Sequence, residues 1–360
     1  MITSPAIDFN NLLPGQRILA IQRLTALWAF CESGLGGLLH AFRIPITGLV
    51  VGGLAVILIT FIAKLSDNHY SQILQCLPVV LIIKVMASPQ TPFPAYLAVS
   101  FQALMGMILF SLLRINLLSI LLLAVLTMLE SALQQLLTLT FFFGRSLWNA
   151  ADEIMNRLAG QMGVSLANGS QWLIAVYLLV YITAGILIAF MTYRLIRNFF
   201  YRNGSCEDLP YADPGLNYPL PDLRRRKKFR FKPLIAASMM LILSASLFLF
   251  AKDAKQGWVA VIKTITWTLS AILAWYIIIA PLFSKFILSL LHKKKSLYSD
   301  AVKSSMEILP VLRRLAVMAW QKNNTYGVWK RIPRFFSTLI TWSLVYSSVL
   351  VESDQNTGNK

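Results

Sequence analysis

Between Leu117 and Phe143 the chain reads LLSILLLAVLTMLESALQQLLTLTFFF, an apolar stretch long enough to cross a bilayer as one helix, with Glu130, Gln134 and Gln135 near its middle. Such a segment cannot face lipid on every side. Steps of three and four put Thr127, Glu130, Gln134 and Thr138 on one side of a helix, with Ser131 and Gln135 beside them and leucines opposite. An ionisable group at bilayer depth costs at least roughly 2.5–3.5 kcal/mol on insertion scales. Glu130 is therefore expected to point into the protein, and the stripe around it to line a polar site within the membrane.

Other apolar runs repeat this demand. At 57% hydrophobic and 13% charged residues, the 360-residue chain has the composition of an all-α polytopic membrane protein. Its net charge of +18 would suggest nucleic acid in a soluble chain. Here much of the basic charge falls between or beyond the apolar runs, where membrane topology explains it, so nucleic-acid binding is excluded.

In chain order, Arg17 and Arg23 precede a first run that reaches Phe42. The N-terminus lacks the basic-then-apolar order of a cleavable signal, so this run is expected to stay as an anchor with its start in the cytoplasm. On it Ala29, Ser33 and Gly37 recur every fourth position, a pattern that lets another helix approach closely, and Glu32 sits beside that seam. A second helix is expected from Thr47 to Ala63. A third, from Ile73 to Met86, is short, holds Pro78 and Lys84, and is expected to be tilted or broken. The run SPQTPFP from Ser88 to Pro94 reads as a turn. A fourth helix spans Tyr96 to Leu113 with Gln102 on it, the opening stretch is the fifth, and a sixth runs from Trp172 to about Ile196 with Tyr177 and Tyr181 on one face. Between the last two, a surface helix from Trp148 to Leu158 would form an outer loop.

Residues 198–232 form a polar linker ending in RRRKKFRFK, which is expected to lie in the cytoplasm against anionic lipid. Beyond it, helices open at Pro233 and run from Trp258 to Phe283. A basic amphipathic segment then covers Lys285 to Arg334, and residues 335–351 make one short span or a surface helix. The expected division is a six-helix solute-binding unit over 1–197, the linker over 198–232, and a smaller helical unit over 233–360.

No GxxxxGK[ST], HExxH, GxSxG or DDxxD pattern occurs, which removes P-loop ATP hydrolysis and the common hydrolase chemistries, so no enzyme activity is expected. Three scattered histidines and three distant cysteines predict neither a metal site nor a cofactor. The candidate solute contacts are Glu130, Gln134, Thr127 and Gln102 within the membrane, Trp148, Asn149 and Asp152 at the outer mouth, and Tyr177. Against each stands a plainer role: helix clamp for Glu130, interfacial belt for Trp148 and Tyr177, solvated turn for Asp152.

Six helices with both ends inside, the Ala29, Ser33 and Gly37 seam, and the run AYLAVSFQALMGMILF from Ala95 to Phe110 resemble the substrate-capture, or S, component of energy-coupling-factor vitamin transporters over residues 17–197. That resemblance implies a small vitamin or precursor as solute, helix-one docking on a transmembrane T component, and two separate ATPases as the energy source. Residues Ser304 to Val351 are similar, more faintly, to the coupling helices of a T component, but the Ala-Arg-Gly signatures that dock the ATPases are missing there, with only Gln321-Lys322-Asn323 and Gly327 nearby. Uptake across the cell membrane is the expected function. The rivals are a non-transporting scaffold, in which the stripe is packing glue, and a lipid-modifying enzyme using Glu130 or Asp152 with Glu153. The acidic stripe favours a cationic or donor-rich ring compound, a preference that Arg43 or Lys84 would reverse.

Overall fold

The protein is described here by a computed structural model, which covers residues 14–36, 47–87, 94–161, 169–201, 254–274, 298–325, 327, 331–332 and 334–344, with isolated positions 282 and 289. The helices are α1 (Pro14–Phe30), α2 (Thr47–Leu65), α3 (Gln72–Ala87), α4 (Pro94–Leu113), α5 (Leu117–Phe143), α6 (Arg145–Gln161), α7 (Gly169–Tyr201), α8 (Ala254–Ala274) and α9 (Ser299–Lys322). No strand occurs among the described residues. Pro14 and Pro94 open their helices at the position where a missing N–H and a fixed φ cost nothing.

Four of these helices, α2, α4, α5 and α7, are long and apolar enough to cross a membrane, and α3 is apolar but shorter. The chain is an all-α polytopic membrane protein. Its helix ends match the sequence expectation closely for α2 to α5, whereas α6 and α7 extend beyond the expected Trp148–Leu158 and Trp172–Ile196 at both ends. Two runs depart from it in form. α3 continues through Pro78 without a break, held by buried Val79, Val80, Ile82 and Ile83 on the turns that follow. The first run ends its α-helix at Phe30 and continues as a π-helical turn over Cys31–Leu35. The helix expected from Pro233 lies outside the described residues, as does Gly37.

By packing, the chain divides into two compact units: Met1–Ala132 with Val180–Leu209 and Ser284–Lys360, and Leu133–Leu179 with Pro210–Phe283. The division is discontinuous and passes through α5 and α7, whereas the boundary expected at the linker is a break in composition.

In the first unit α1 is the central element. Leu24, Ala26, Leu27, Trp28 and Ala29 are fully enclosed, and α1 packs on α2, α3 and α9. α4 packs on α2 and α3. The C-terminal part of α7 joins through Phe199 and Phe200, whose rings lie 5.3 and 5.9 Å from Phe61. Residues 334–344 are helical and add Leu339, Ile340, Trp342 and Leu344 to the core, with Arg23 donating to the Leu344 carbonyl at 3.3 Å. At the start of α1, Arg17 pairs with Asp67 at 2.7 Å, which sets the beginning of α1 beside the α2–α3 turn. That guanidinium holds the Asp67 carboxyl below its ordinary range.

In the second unit, the end of α5 turns into α6 at Gly144, whose φ of +62° suits glycine. Trp267 of α8 donates to the Phe141 carbonyl at 3.2 Å and packs where a Gly144 side chain would stand.

Candidate functional site

The polar residues of the first unit converge because of two local features. The first is the π-helical turn. One extra residue in a helical turn displaces the backbone ladder, and such turns recur at functional sites. Within it Ser33 bonds back to the Ala29 carbonyl at 2.6 Å, and Glu32 turns inward. Its Oε2 accepts from Lys84 Nζ of α3 at 2.7 Å, with the two side chains only 3% and 5% exposed. Lys84 also donates to the Ala95 carbonyl of α4 at 3.2 Å and stands 5.8 Å from the Tyr96 ring centre. One ion pair therefore ties α1, α3 and α4 together.

The second feature is the glycine face of α2. A Cβ on Gly52 would lie 3.1 Å from Thr127 Cγ2, 3.2 Å from Met128 Cε and 3.7 Å from Gln102 Nε2. A Cβ on Gly48 would collide with Ser131 Oγ. Glycine at these positions lets the polar side of α5 and Gln102 of α4 close onto α2.

The consequence is a set of buried acceptors that the bundle does not satisfy. Glu32 Oε1, Gln102 Oε1, Thr127 Oγ1 and Glu130 Oε2 are buried with no hydrogen-bond partner among the described residues. Trp28 Nε1, one turn before Glu32, is a buried donor in the same condition. Glu130 lies within electrostatic range of Glu32.

The expected contacts separate accordingly. Gln102, Thr127 and Glu130 belong to the first unit. Gln134, Trp148, Asn149, Asp152 and Tyr177 belong to the second. There Trp148 donates to Thr140 Oγ1 at 3.2 Å, Tyr177 donates to Gln135 Oε1 at 3.1 Å, and Asn149 is exposed. Asp152 Oδ1 accepts the Ser170 backbone N–H at 2.6 Å in the first turn of α7, where a carboxylate satisfies an otherwise unpaired donor. Ala29 on α1 and Ser33 on the π-helical turn are buried. Cys31 and Cys76 are free, buried thiols.

Sequence reasoning noted Glu32 and Lys84 without joining them. The available signal was that Lys84 is the only charged residue in Gln72–Ala87 and that Glu32 stands in an apolar run that also needs a partner. Fold and site together define a helical membrane protein with a buried, incompletely satisfied polar cluster. No family model matches the chain, and neither a curated protein nor a solved structure is found to be similar to it.

Proposed function

We propose that the protein takes up a small water-soluble nutrient, a vitamin or a precursor of one, across the cell membrane, as a binding unit resembling the S component of energy-coupling-factor transporters. Gln102, Thr127 and Glu130 contact the ligand, and separate ATPases acting through a T component supply the energy. The N-terminus faces the cytoplasm, and the basic segments lie against anionic lipid.

The observation that carries this reading is the group of unsatisfied acceptors at Glu32, Gln102, Thr127 and Glu130. Each buried acceptor left without a donor costs about 1–3 kcal/mol. A cluster that served packing alone would be expected to spend its polar atoms on one another, as Glu32 Oε2 and Lys84 do. Buried polar groups left over inside a membrane bundle mark pathways and binding sites. Lys84 is already committed to Glu32, so it does not turn the preference of the site toward anions.

A thermal-shift screen of the purified chain against water-soluble vitamins and their precursors tests the reading. Saturable stabilisation by a member of the set is expected. The absence of any shift, together with no ligand carried through purification, would favour a scaffold. Co-purification of two ATPases tests the energising partners separately.

A further inference from the structure

We infer that one end of the first unit is a docking surface for the headgroups of an anionic phospholipid leaflet, with Trp320 and Arg331 at the centre of the contact. The inference rests on the reading that basic segments meet anionic lipid, and it assigns that role to a folded surface of the bundle in addition to the linker.

Packing gathers cations at this end. Arg17 pairs with Asp67 where the start of α1 meets the α2–α3 turn, so the carboxylate on that turn is already engaged. Arg114, exposed at the end of α4, lies within electrostatic range of Tyr70 on the same turn. Lys64 stands 5.9 Å from the ring centre of Phe200, near the end of α7, where Arg194 and Arg197 are exposed.

The last turns of α9 join them. α9 begins beside the far end of α3, where Met86, Val302, Met306 and Glu307 line one groove, and it packs on both α3 and α1. At about 1.5 Å per residue, its 24 residues carry it back toward the α2–α3 turn. Residues 334–344 then meet α1 through the bond from Arg23 to the Leu344 carbonyl. Charge follows the same polarity. Asp300 and Glu307 lie in the first half of α9, whereas from Ile308 to Val351 the sequence holds six Lys and Arg and no Asp or Glu.

The surface itself is mixed in the way an interface requires. The Arg331 guanidinium lies 3.8 Å from the Trp320 ring centre and donates to the Trp320 carbonyl at 3.0 Å, while Phe335 packs edge-on against the same ring. Trp320 nevertheless remains 43% exposed and Ile332 40%, beside exposed Lys322 and Arg334. Indole favours the depth where acyl chains give way to headgroups. Each cation held near an anionic leaflet raises affinity roughly fivefold.

The test uses the full-length chain in nanodiscs of phosphatidylcholine, with or without phosphatidylglycerol. Phosphatidylglycerol should slow hydrogen exchange over the last turns of α9 and residues 334–344. Arg334→Gln should raise the phosphatidylglycerol fraction needed for half of that slowing roughly fivefold. Bromine on the lipid chains should quench the emission that distinguishes wild type from Trp320→Phe. Exchange on the unsubstituted chain stands without either variant, and equal rates with and without phosphatidylglycerol would overturn the inference. So would a Trp320 that bromolipid leaves unquenched and acrylamide reaches, since that surface would face water and suit a soluble protein. Protection confined to residues 198–232 would leave the linker on anionic lipid and remove this surface. The nutrient screen reads the cluster around Glu130 and is independent of each outcome.

Discussion

Glu32 and Lys84 show how much depends on pairing in the protein interior. Both charges are withdrawn from water and each is tolerable only beside the other, so removing one strands its partner. Lys84→Met is expected to destabilise the fold by about 3–5 kcal/mol, and adding Glu32→Gln should recover most of that loss. Unfolding curves for the two single variants and the double variant check it, and equal losses in all three would remove the pair from the stability account. The Arg17–Asp67 bridge is a milder, exposed case. Because Arg17 depresses the folded-state pKa of Asp67, the bridge stabilises the fold above the unfolded carboxyl value and ceases to do so as pH falls through the folded one. The melting-temperature gap between wild type and Arg17→Ala should therefore be small and positive near neutrality, shrink with added salt, and close in acid. Of the site, Thr127 and Glu130 were legible because they share one face of one helix. The contact of Glu32 with Lys84 joins residues 52 apart and depends on a π-helical turn that no periodicity announces.

At the scale of elements, the glycines of α2 act as spacers and their effect is local. Gly52→Val should cost about 1–3 kcal/mol, since its added atoms meet Thr127 and Met128. Gly160→Ala on α6 meets nothing within 4 Å and should stabilise by about 0.4–1 kcal/mol. Thermal melts of the two variants against wild type settle both signs. Helix existence and extent were readable because apolar runs near twenty residues leave few other structures in a bilayer. The continuity of α3 through Pro78 was not, because burial of the residues that follow outweighs one lost backbone bond, and that burial comes from neighbouring helices.

For the whole molecule, composition and run length were enough to give a polytopic helical membrane protein. The two packing units were not readable, because α5 and α7 each contribute one part to either unit and the sequence of a continuous helix carries no mark of that exchange. The proposed orientation rests on the basic segments, and the Arg17–Asp67 contact sets the start of α1 and the α2–α3 turn beside each other. Cys206, in the 198–232 linker and outside the described residues, gives a native probe, since Cys31 and Cys76 are buried. A membrane-impermeant maleimide should leave Cys206 unlabelled in intact cells and label it after permeabilisation, and labelling from outside would reverse the topology.

The central claim, that the unsatisfied cluster of the first unit is a ligand site rather than packing glue, is tested most directly by native mass spectrometry of wild type and Glu130→Gln prepared in parallel. The uptake account predicts a defined small-molecule adduct on the wild-type chain and its loss from a folded Glu130→Gln, which corresponds to an affinity weakened on the order of tenfold to a hundredfold by replacing a charged acceptor. An adduct equally abundant on both chains, or no adduct on wild type together with a higher melting temperature for Glu130→Gln, would contradict it.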